Sequence, residues 1–180
     1  MFYLFAGNGF EELEFIAPLD IMRRAGLKVT TVGIGGRTVT GAHGLTITCD
    51  TADDQLIDGI GISGVILPGG AGYRNLAQSA TVGRMLAYCV ENNLLIAAIC
   101  AAPSILGEFG ILRGRRATCF PGFEDKLEGA IAQNDAVVRD GNLITAKGAG
   151  CAVDFGLEIV RAVLDDGNAV RIASAMQCHV

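Results

Sequence analysis

The stretch from Leu94 to Leu106 constrains the fold more than any other part of the chain. It begins with the apolar run Leu94–Ile99, which is too short for an ordinary helix and is typical of a strand buried on both faces. Cys100 follows, and Pro103 comes shortly after it, where a proline fits the first turn of a helix. The pattern therefore predicts a buried strand that turns sharply into a helix, with Cys100 at the turn.

The position of Cys100 is compatible with two roles. In open α/β sheets, ligands bind just outside the carboxyl ends of the strands. A thiol there also faces the N-terminal end of a helix, whose partial positive charge favours the thiolate. Alternatively, Cys100 is a small buried apolar residue, as most free cysteines are. Position makes Cys100 a candidate nucleophile and leaves the packing role open.

Length and composition restrict the class of protein. A chain of 180 residues suits one domain, residues 1–180, with a substantial core. The formal net charge of −5 argues against nucleic acid as the main partner. Basic residues are dispersed apart from Arg113, Arg115 and Arg116, which we interpret as a solvated turn. No apolar run approaches the ~20 residues needed to span a bilayer, so we expect no membrane partner.

The N-terminus and the cysteines indicate the compartment. Met1–Phe5 lacks the basic leader and cleavage site of a signal peptide, so we expect a cytoplasmic protein with reduced thiols. No two of the six cysteines have C-x-x-C spacing, and the histidines are His43 and His179, which argues against a zinc site or a disulfide framework. Cys89 falls on an apolar helical face and is expected in the core. We therefore predict no metal and no cofactor.

Strands and helices alternate along the chain. The predicted strands are Tyr3–Ala6, Lys28–Gly33, a third running from Gly64 into a glycine turn, Leu94–Ile99, Ala117–Phe120, and a hairpin of Ala136–Arg139 with Leu143–Thr145. The predicted helices are Phe10–Ala25, Gly72–Asn92 with a break near Ser79, one after Cys100, Ala152–Leu164 and Asn168–Met176. Ala52–Ile57 and Phe123–Glu128 are shorter turns or helices, and Arg37–Cys49 is a small β excursion. This alternation predicts one α/β domain, a doubly wound parallel sheet with helices on both faces.

Glu14 is an unexpected carboxyl on an apolar helical face. On a helical wheel, Phe10, Ala17, Ile21 and Ala25 share one side, and Glu14 lies in its middle. A carboxyl there loses hydration, so it tends to be protonated or specifically paired. Glu14 is therefore a candidate site residue. The alternative is a glutamate at the rim of the face that extends into water.

Two turns carry further candidates. Gly69 and Gly70 follow a buried strand, and glycines there let the backbone approach a cleft and leave N–H groups free to bind an anion. The alternative is an ordinary tight turn, and no Gly-Lys-Ser/Thr sequence follows that would indicate a phosphate-binding loop. His43 lies in the turn of the β excursion, where a lone histidine is usually exposed to solvent.

Together, these motifs resemble the ThiJ/PfpI superfamily, and within it the DJ-one branch that includes the Parkinson-disease-associated protein. They occur in the family's order and spacing over essentially the whole chain. The matching segments are residues 9–14, 22–26, 67–70, 97–103, 148–150 and 154–156. The resemblance implies a flavodoxin-like α/β sandwich that forms a homodimer.

The resemblance also implies roles for individual residues. Cys100 is the reactive cysteine at a nucleophile elbow, and Glu14 is the protonated carboxyl that donates a hydrogen bond to its thiolate. Such a bond lowers the pKa of Cys100 and raises that of Glu14. Backbone N–H groups of Gly70 and Ala101, with the turn at Gly69, form an oxyanion hole.

Two kinds of function are compatible with that site. The first is a glyoxalase that converts methylglyoxal and water to lactate without glutathione, or a deglycase using similar chemistry on small aldehydes and dicarbonyls. The second is an oxidative-stress sensor or redox chaperone whose cysteine is oxidised to sulfinate without significant turnover.

The chain also departs from its relatives. Protease-type members carry a histidine directly after the cysteine, where this chain has Ala101, and neither histidine lies near Cys100 in sequence. A cysteine protease or a glutamine amidotransferase is therefore disfavoured. Cys151 stands where relatives often have threonine, and it either fills that space or acts as a resolving thiol. Arg24 and His43 are accessory candidates for the rim of the site or the dimer interface.

Overall fold

A computed structural model of the chain describes residues 1–56 and 61–178. The strands are β1 (Phe2–Ala6), β2 (Val29–Gly33), β3 (Thr38–Thr40), β4 (Thr46–Thr48), β5 (Thr51–Ala52), β6 (Gly64–Leu67), β7 (Leu95–Ile99), β8 (Arg116–Ala117), β9 (Ile131–Ala132), β10 (Val137–Asp140) and β11 (Leu143–Ala146). The helices are α1 (Glu12–Arg24), α2 (Tyr73–Gln78), α3 (Ala80–Glu91), α4 (Pro103–Glu108), α5 (Ala152–Val163) and α6 (Asp166–Ala175).

The central sheet has seven strands in the order β10-β11-β7-β6-β1-β2-β5. All neighbours are parallel except the edge strand β10, which pairs antiparallel with β11 through the predicted hairpin. The strand order reverses at β1, because β2 lies on one side of it and β6 on the other. The carboxyl ends of β1 and β6 therefore border the crevice where open α/β sheets bind ligands.

Side chains of the central strands alternate between two cores. On one face, Tyr3 and Phe5 of β1 join residues of α2, α3 and α4. On the other face, Phe2 and Leu4 join residues of α1 and α5, among them Phe155 of α5, which is fully buried. This alternation follows from the two-residue period of a strand. It confirms the predicted doubly wound sheet with helices on both faces.

Helix α1 is shorter than predicted, and its buried face is rotated. It begins at Glu12, so Phe10 precedes the helix, although its ring is buried. The buried side consists of Glu14, Phe15, Pro18, Ile21 and Met22, whereas Ala17 and Ala25 are only half-buried. The face differs because α1 packs against α5 as well as against the sheet. The central expectation, a buried Glu14, is confirmed.

The other differences involve the shortest elements. The predicted strand Ala117–Phe120 is reduced to β8, which pairs with β9 outside the central sheet. The segment predicted at Phe123–Glu128 is a single 3-10 turn, Glu124–Lys126. The one predicted at Ala52–Ile57 contains the 3-10 turn Asp53–Gln55, and its last residue lies outside the described part.

Two local predictions are confirmed. The excursion at Arg37–Cys49 contains the antiparallel pair β3–β4. The break at Ser79 separates α2 from α3, because the Ser79 hydroxyl accepts a hydrogen bond from the Val82 N–H and caps α3. None of the helices within residues 1–56 and 61–178 combines the length and hydropathy needed to cross a bilayer.

Candidate active site

Cys100 occupies a strained turn between β7 and α4. Its φ of +67° lies in the left-handed region, which non-glycine residues rarely adopt. Two backbone hydrogen bonds hold it there. The Cys100 N–H donates to the Ala146 carbonyl, and the Phe120 N–H donates to the Cys100 carbonyl, each at 2.8 Å. The half-buried thiol is thereby fixed at the carboxyl end of the sheet.

Glu14 is buried beside this turn, in the first turn of α1. Only 1% of the residue is exposed. Its Oε2 accepts a hydrogen bond of 2.8 Å from the Gly69 N–H, and the Ala149 N–H also bonds the carboxyl. A Cβ atom on Gly69 would lie 2.7 Å from both Cys100 Cβ and Glu14 Oε2. Residue 69 therefore has to be glycine for Cys100 and Glu14 to meet.

The Glu14 and Cys100 side chains are hydrogen-bonded to each other. Burial raises the pKa of Glu14 to about 7, and the nearby negative charge of Glu11 acts in the same direction. The hydrogen bonds to Cys100, Gly69 and Ala149 partly offset this rise in pKa. Glu14 therefore exchanges its proton close to neutral pH, unlike an exposed glutamate.

The pKa of Cys100 departs from the sequence-based expectation. Burial raises the pKa of the thiol to about 12, and an ionised Glu14 adds to the rise by its charge and its hydrogen bond. The expected low pKa is therefore absent while Glu14 is a carboxylate. The sign of the Glu14 contribution depends on where the proton lies, because a carboxylic acid donates a hydrogen bond to a thiolate whereas a carboxylate repels it.

Backbone donors surround the sulfur. The N–H groups of Gly70 and Ala101 hydrogen-bond the Cys100 thiol and lower its pKa. The Gly69 N–H, which we expected to contribute to an oxyanion hole, is bound by Glu14 instead. Helix α4 has only six residues, so its macrodipole is small. The individual N–H groups of Gly70 and Ala101 therefore stabilise a negative charge on the sulfur more directly than the helix as a whole.

The turn that carries Gly70 rests on the start of α1. Gly70 has a φ of +70° and forms an isolated bridge with Phe10. The Glu11 N–H donates to the Gly69 carbonyl at 3.3 Å. These contacts tie the two glycines to the helix that carries Glu14, so the carboxyl and the backbone donors keep a fixed relation to each other.

His43 lies outside this arrangement. Its side chain is 72% exposed, as expected for a turn. Its backbone N–H and its Nδ1 meet the two carboxylate oxygens of Glu12 at 2.7 and 2.9 Å, and its Nδ1 lies 3.7 Å from Glu11 Oε2. Ligand atoms of these three residues lie within 4.8 Å of one another, the spacing of a possible metal site. The visible role of Glu12 is to anchor the β3–β4 turn.

The remaining accessory candidates have other surroundings. Arg24 pairs with Asp20 at the end of α1, and its ten-residue separation from Glu14 is about 15 Å of helix, away from Cys100. Cys151 is a free, half-buried thiol in the 3-10 turn Ala149–Cys151. Cys89 is fully buried in the core, as predicted. His179 lies outside the described residues.

Sequence reasoning missed two contributors to the site. Ala149 bonds the Glu14 carboxyl through its N–H, and Phe120 bonds the Cys100 carbonyl. The glycine-rich turn 148–150 was a usable signal, because it follows a strand at the same edge of the sheet as Cys100. Nothing in the sequence around Phe120 distinguishes it from other half-exposed aromatic residues.

Comparison with known proteins identifies the family of this chain. The sequence profile of the DJ-1/PfpI family matches residues 2–162. The chain therefore belongs to the DJ-1/PfpI family. Within it, Protein dj-1beta of Drosophila melanogaster is 38% identical over 173 residues, which cover 93% of this chain and 91% of that protein.

Other members of the family extend the comparison. The glutathione-independent glyoxalase DJR-1.2 of Caenorhabditis elegans is 36% identical over 155 residues, covering 85% of this chain and 82% of that protein. The crystal structure of Drosophila melanogaster DJ-1beta superposes with a TM-score of 0.92 at 33% identity, covering 99% of this chain and 98% of that one. Toxoplasma gondii DJ-1, solved in an oxidized form, has a TM-score of 0.95 at 25% identity, with coverage of 99% and 98%. These neighbours show the DJ-1 fold for this chain, consistent with the expected flavodoxin-like architecture.

Proposed function

We propose that this protein is a cysteine-dependent, glutathione-independent glyoxalase, or a deglycase with similar chemistry, acting on small reactive aldehydes such as methylglyoxal. The observation that carries the proposal is the buried Glu14 carboxyl hydrogen-bonded to the Cys100 thiol. A carboxyl with a pKa of about 7 can both donate and accept a proton near neutral pH. Similarity to the C. elegans glyoxalase supports the same assignment.

In the proposed reaction, the Cys100 thiolate adds to the aldehyde carbon, forming a C–S bond while the carbonyl electron pair moves to oxygen. Glu14 donates its proton to that oxygen, giving a hemithioacetal. The Glu14 carboxylate then takes the proton from the former aldehyde carbon, C1, and returns it to the ketone carbon, C2, while the hydroxyl proton on the C1 oxygen passes to the C2 oxygen; this yields a 2-hydroxy thioester. Water hydrolyses the thioester to the 2-hydroxy acid and restores the thiolate and protonated Glu14. No outside reductant or oxidant is consumed, because the aldehyde is oxidised as the ketone is reduced.

The direct test is conversion of methylglyoxal to lactate by the purified protein without glutathione, followed by proton NMR. We expect lactate to form catalytically, many equivalents per protein chain. A deglycase would additionally release the free amine from a methylglyoxal–lysine adduct after the free aldehyde is exhausted. Lactate formation no faster than in buffer would contradict both forms of the proposal.

The proposal requires that, after the pair loses one proton, the other stays on Glu14 and the charge lies on sulfur. Burial disfavours charge, and Glu14 is almost fully buried whereas Cys100 is only half-buried. A thiolate would also accept hydrogen bonds from the N–H groups of Gly70 and Ala101 and from the Glu14 O–H. A Glu14 carboxylate would instead face the negative charge of Glu11.

This arrangement predicts the pH dependence of Cys100 alkylation by iodoacetamide, measured by mass spectrometry. Glu14 by itself would lose its proton at about pH 7, so if sulfur loses the first proton more readily, the pair loses it at or below that pH, and the alkylation rate should rise up to that point. Above it the thiolate is formed, so the rate should level off. A rate that keeps rising toward pH 12, the pKa of Cys100 beside an ionised Glu14, would mean that the remaining proton lies on sulfur.

A second candidate function is a sensor of oxidative stress or a redox chaperone, in which Cys100 is oxidised to sulfinate. The half-buried thiol next to a hydrogen-bond donor favours it, and a relative has been solved in an oxidized form. Peroxide uptake of two oxygen atoms at Cys100, together with background rates on dicarbonyls, would support this function over the glyoxalase. Turnover of methylglyoxal that is lost on peroxide treatment would make oxidation a regulator of the enzyme instead.

We further propose that the protein is a cytoplasmic homodimer formed through α1 and α5. These helices pack together and expose large apolar side chains on their outer side: Leu13 (58% exposed), Ile16 (39%) and Val153 (37%). Leu45 of the neighbouring β3–β4 turn is 47% exposed. Exposed apolar groups on adjacent elements indicate an interaction surface.

The substitution Leu13→Asp tests this surface, because it would place a carboxylate in the interface. We expect it to raise the dimer dissociation constant by about 100-fold or more, measured by light scattering after gel filtration. Val90→Asp is the matched control, since Val90 is 51% exposed on α3 at the opposite face of the sheet. A wild-type protein that is monomeric at micromolar concentration, or two variants that behave alike, would contradict the proposal.

A further inference from the structure

Phe120 is a half-exposed aromatic residue attached directly to the catalytic turn. Its side chain is 47% exposed, and its backbone N–H donates to the Cys100 carbonyl at 2.8 Å. Single exposed apolar side chains are common and carry no meaning alone. The backbone bond matters because it fixes Phe120 relative to the residue that holds the thiol.

The ring borders the space next to Glu14. A Cβ atom placed on Gly148 would lie 3.3 and 3.8 Å from two carbons of the Phe120 ring, and 3.9 Å from Glu14 Oε1. The ring and the carboxyl oxygen therefore flank the same point beside Gly148. A side chain on residue 148 would stand against the ring, and glycine leaves the ring uncovered next to the carboxyl.

We propose that Phe120 determines substrate specificity, by binding the substituent of a 2-oxoaldehyde and favouring an aromatic substituent over a methyl group. This inference rests on the proposed function. The groups that hydrogen-bond the thiol are a carboxyl and backbone N–H donors, which serve the reacting oxygen atoms. Phe120 supplies an apolar surface that is still half exposed, and a ring in the substrate can stack on it or meet its edge.

The test compares phenylglyoxal with methylglyoxal as substrates. Each adds one water and yields its 2-hydroxy acid, so the chemistry is the same and only the substituent differs. We expect Phe120→Ala to lower the ratio of kcat/KM for phenylglyoxal to that for methylglyoxal about tenfold. Phe120→Leu keeps an apolar side chain without the ring and should lower the ratio by less.

Phe109→Ala is the matched control. Phe109 is also 47% exposed, but its ring lies against Gly83 of α3, where a Cβ atom would be 3.2 Å from it. We expect the substrate ratio to be unchanged in this variant. An unchanged ratio in a folded Phe120→Ala protein, or an equal fall in Phe109→Ala, would overturn the inference.

A second measurement separates this inference from the proposed function. Phenacyl bromide and bromoacetone both alkylate a thiol with loss of bromide, and no turnover is needed to observe it. The quantity compared is the rate of Cys100 alkylation by phenacyl bromide divided by the rate with bromoacetone. We expect Phe120→Ala to lower this ratio, again about tenfold. If wild-type protein turns over neither aldehyde but this ratio falls, the proposed function fails and aryl binding at Phe120 stands. If the alkylation ratio is unaffected, the inference is wrong.

Discussion

Replacing Cys100 by serine is expected to lower the turnover of methylglyoxal by about 10⁴-fold or more, to the rate seen without protein. A serine hydroxyl stays protonated at neutral pH, so the neighbouring Glu14 cannot produce a nucleophile from it. The substitution is nearly isosteric and keeps the backbone bonds to Ala146 and from Phe120 that hold the turn. Lactate formation, measured alongside circular dichroism and thermal unfolding, distinguishes lost chemistry from lost structure.

Cys151→Ser is the control for this experiment. Cys151 is also a free and half-buried thiol, and it is the last residue of the 3-10 turn whose Ala149 N–H bonds Glu14. We expect this variant to keep at least about half of wild-type turnover, since thiol chemistry at Cys151 has no part in the proposed reaction. A comparable loss in both variants would show that the two thiols act together, and peptide mapping after peroxide would then reveal a Cys100–Cys151 disulfide.

Glu14→Gln is expected to lower kcat by about 10²–10³-fold while leaving Cys100 reactive toward iodoacetamide. A glutamine side chain retains a carbonyl oxygen for the Gly69 N–H and an amide N–H that can donate to the sulfur. It cannot release or accept a proton at neutral pH. We therefore expect the variant to keep a reactive Cys100 thiolate but to lose the proton transfers that Glu14 carries out.

The neighbouring Glu11 provides a graded control. Its negative charge raises the pKa of Glu14, so Glu11→Gln should lower the pH at which Glu14 loses its proton, seen as an earlier fall of kcat with rising pH, without abolishing turnover. If Glu14→Gln retains turnover that Cys100→Ser abolishes, Glu14 is not the proton carrier. If Glu14→Gln loses both turnover and alkylation, its part is to support the thiolate rather than to transfer protons.

The long, strongly patterned segments could be predicted from the sequence. Five residues of the apolar run before Cys100 form β7 inside the sheet, between β11 and β6. Ser79 separates two helices, as its capping chemistry predicts. The burial of Glu14 was visible because a single carboxyl interrupts an apolar stripe. In each case the deciding information is local, so one window of sequence suffices.

The missed features depend on contacts between distant segments. Strands β5 and β9 have two residues each, and they form only because β2 and β8 supply hydrogen bonds to them. The predicted strand at Ala117–Phe120 ends at Ala117, since beyond it the Thr118 N–H donates to the Thr145 hydroxyl and the Phe120 N–H donates to the Cys100 carbonyl. The pKa of Cys100 could not be inferred from a helix end alone, because burial and the charge state of Glu14 outweigh it.

The turn at Cys100 needs partners from every part of the chain: Glu14 near the start, Gly69 and Gly70 from the next crossover, and Ala146 and Ala149 near the end. In an unfolded chain these groups are separated, and Cys100 becomes an ordinary thiol with a pKa of roughly 8.5. Its labelling rate near pH 7 is therefore a built-in reporter of native structure. Opening of the β11 edge alone would change the signal, even while the rest of the sheet stays intact.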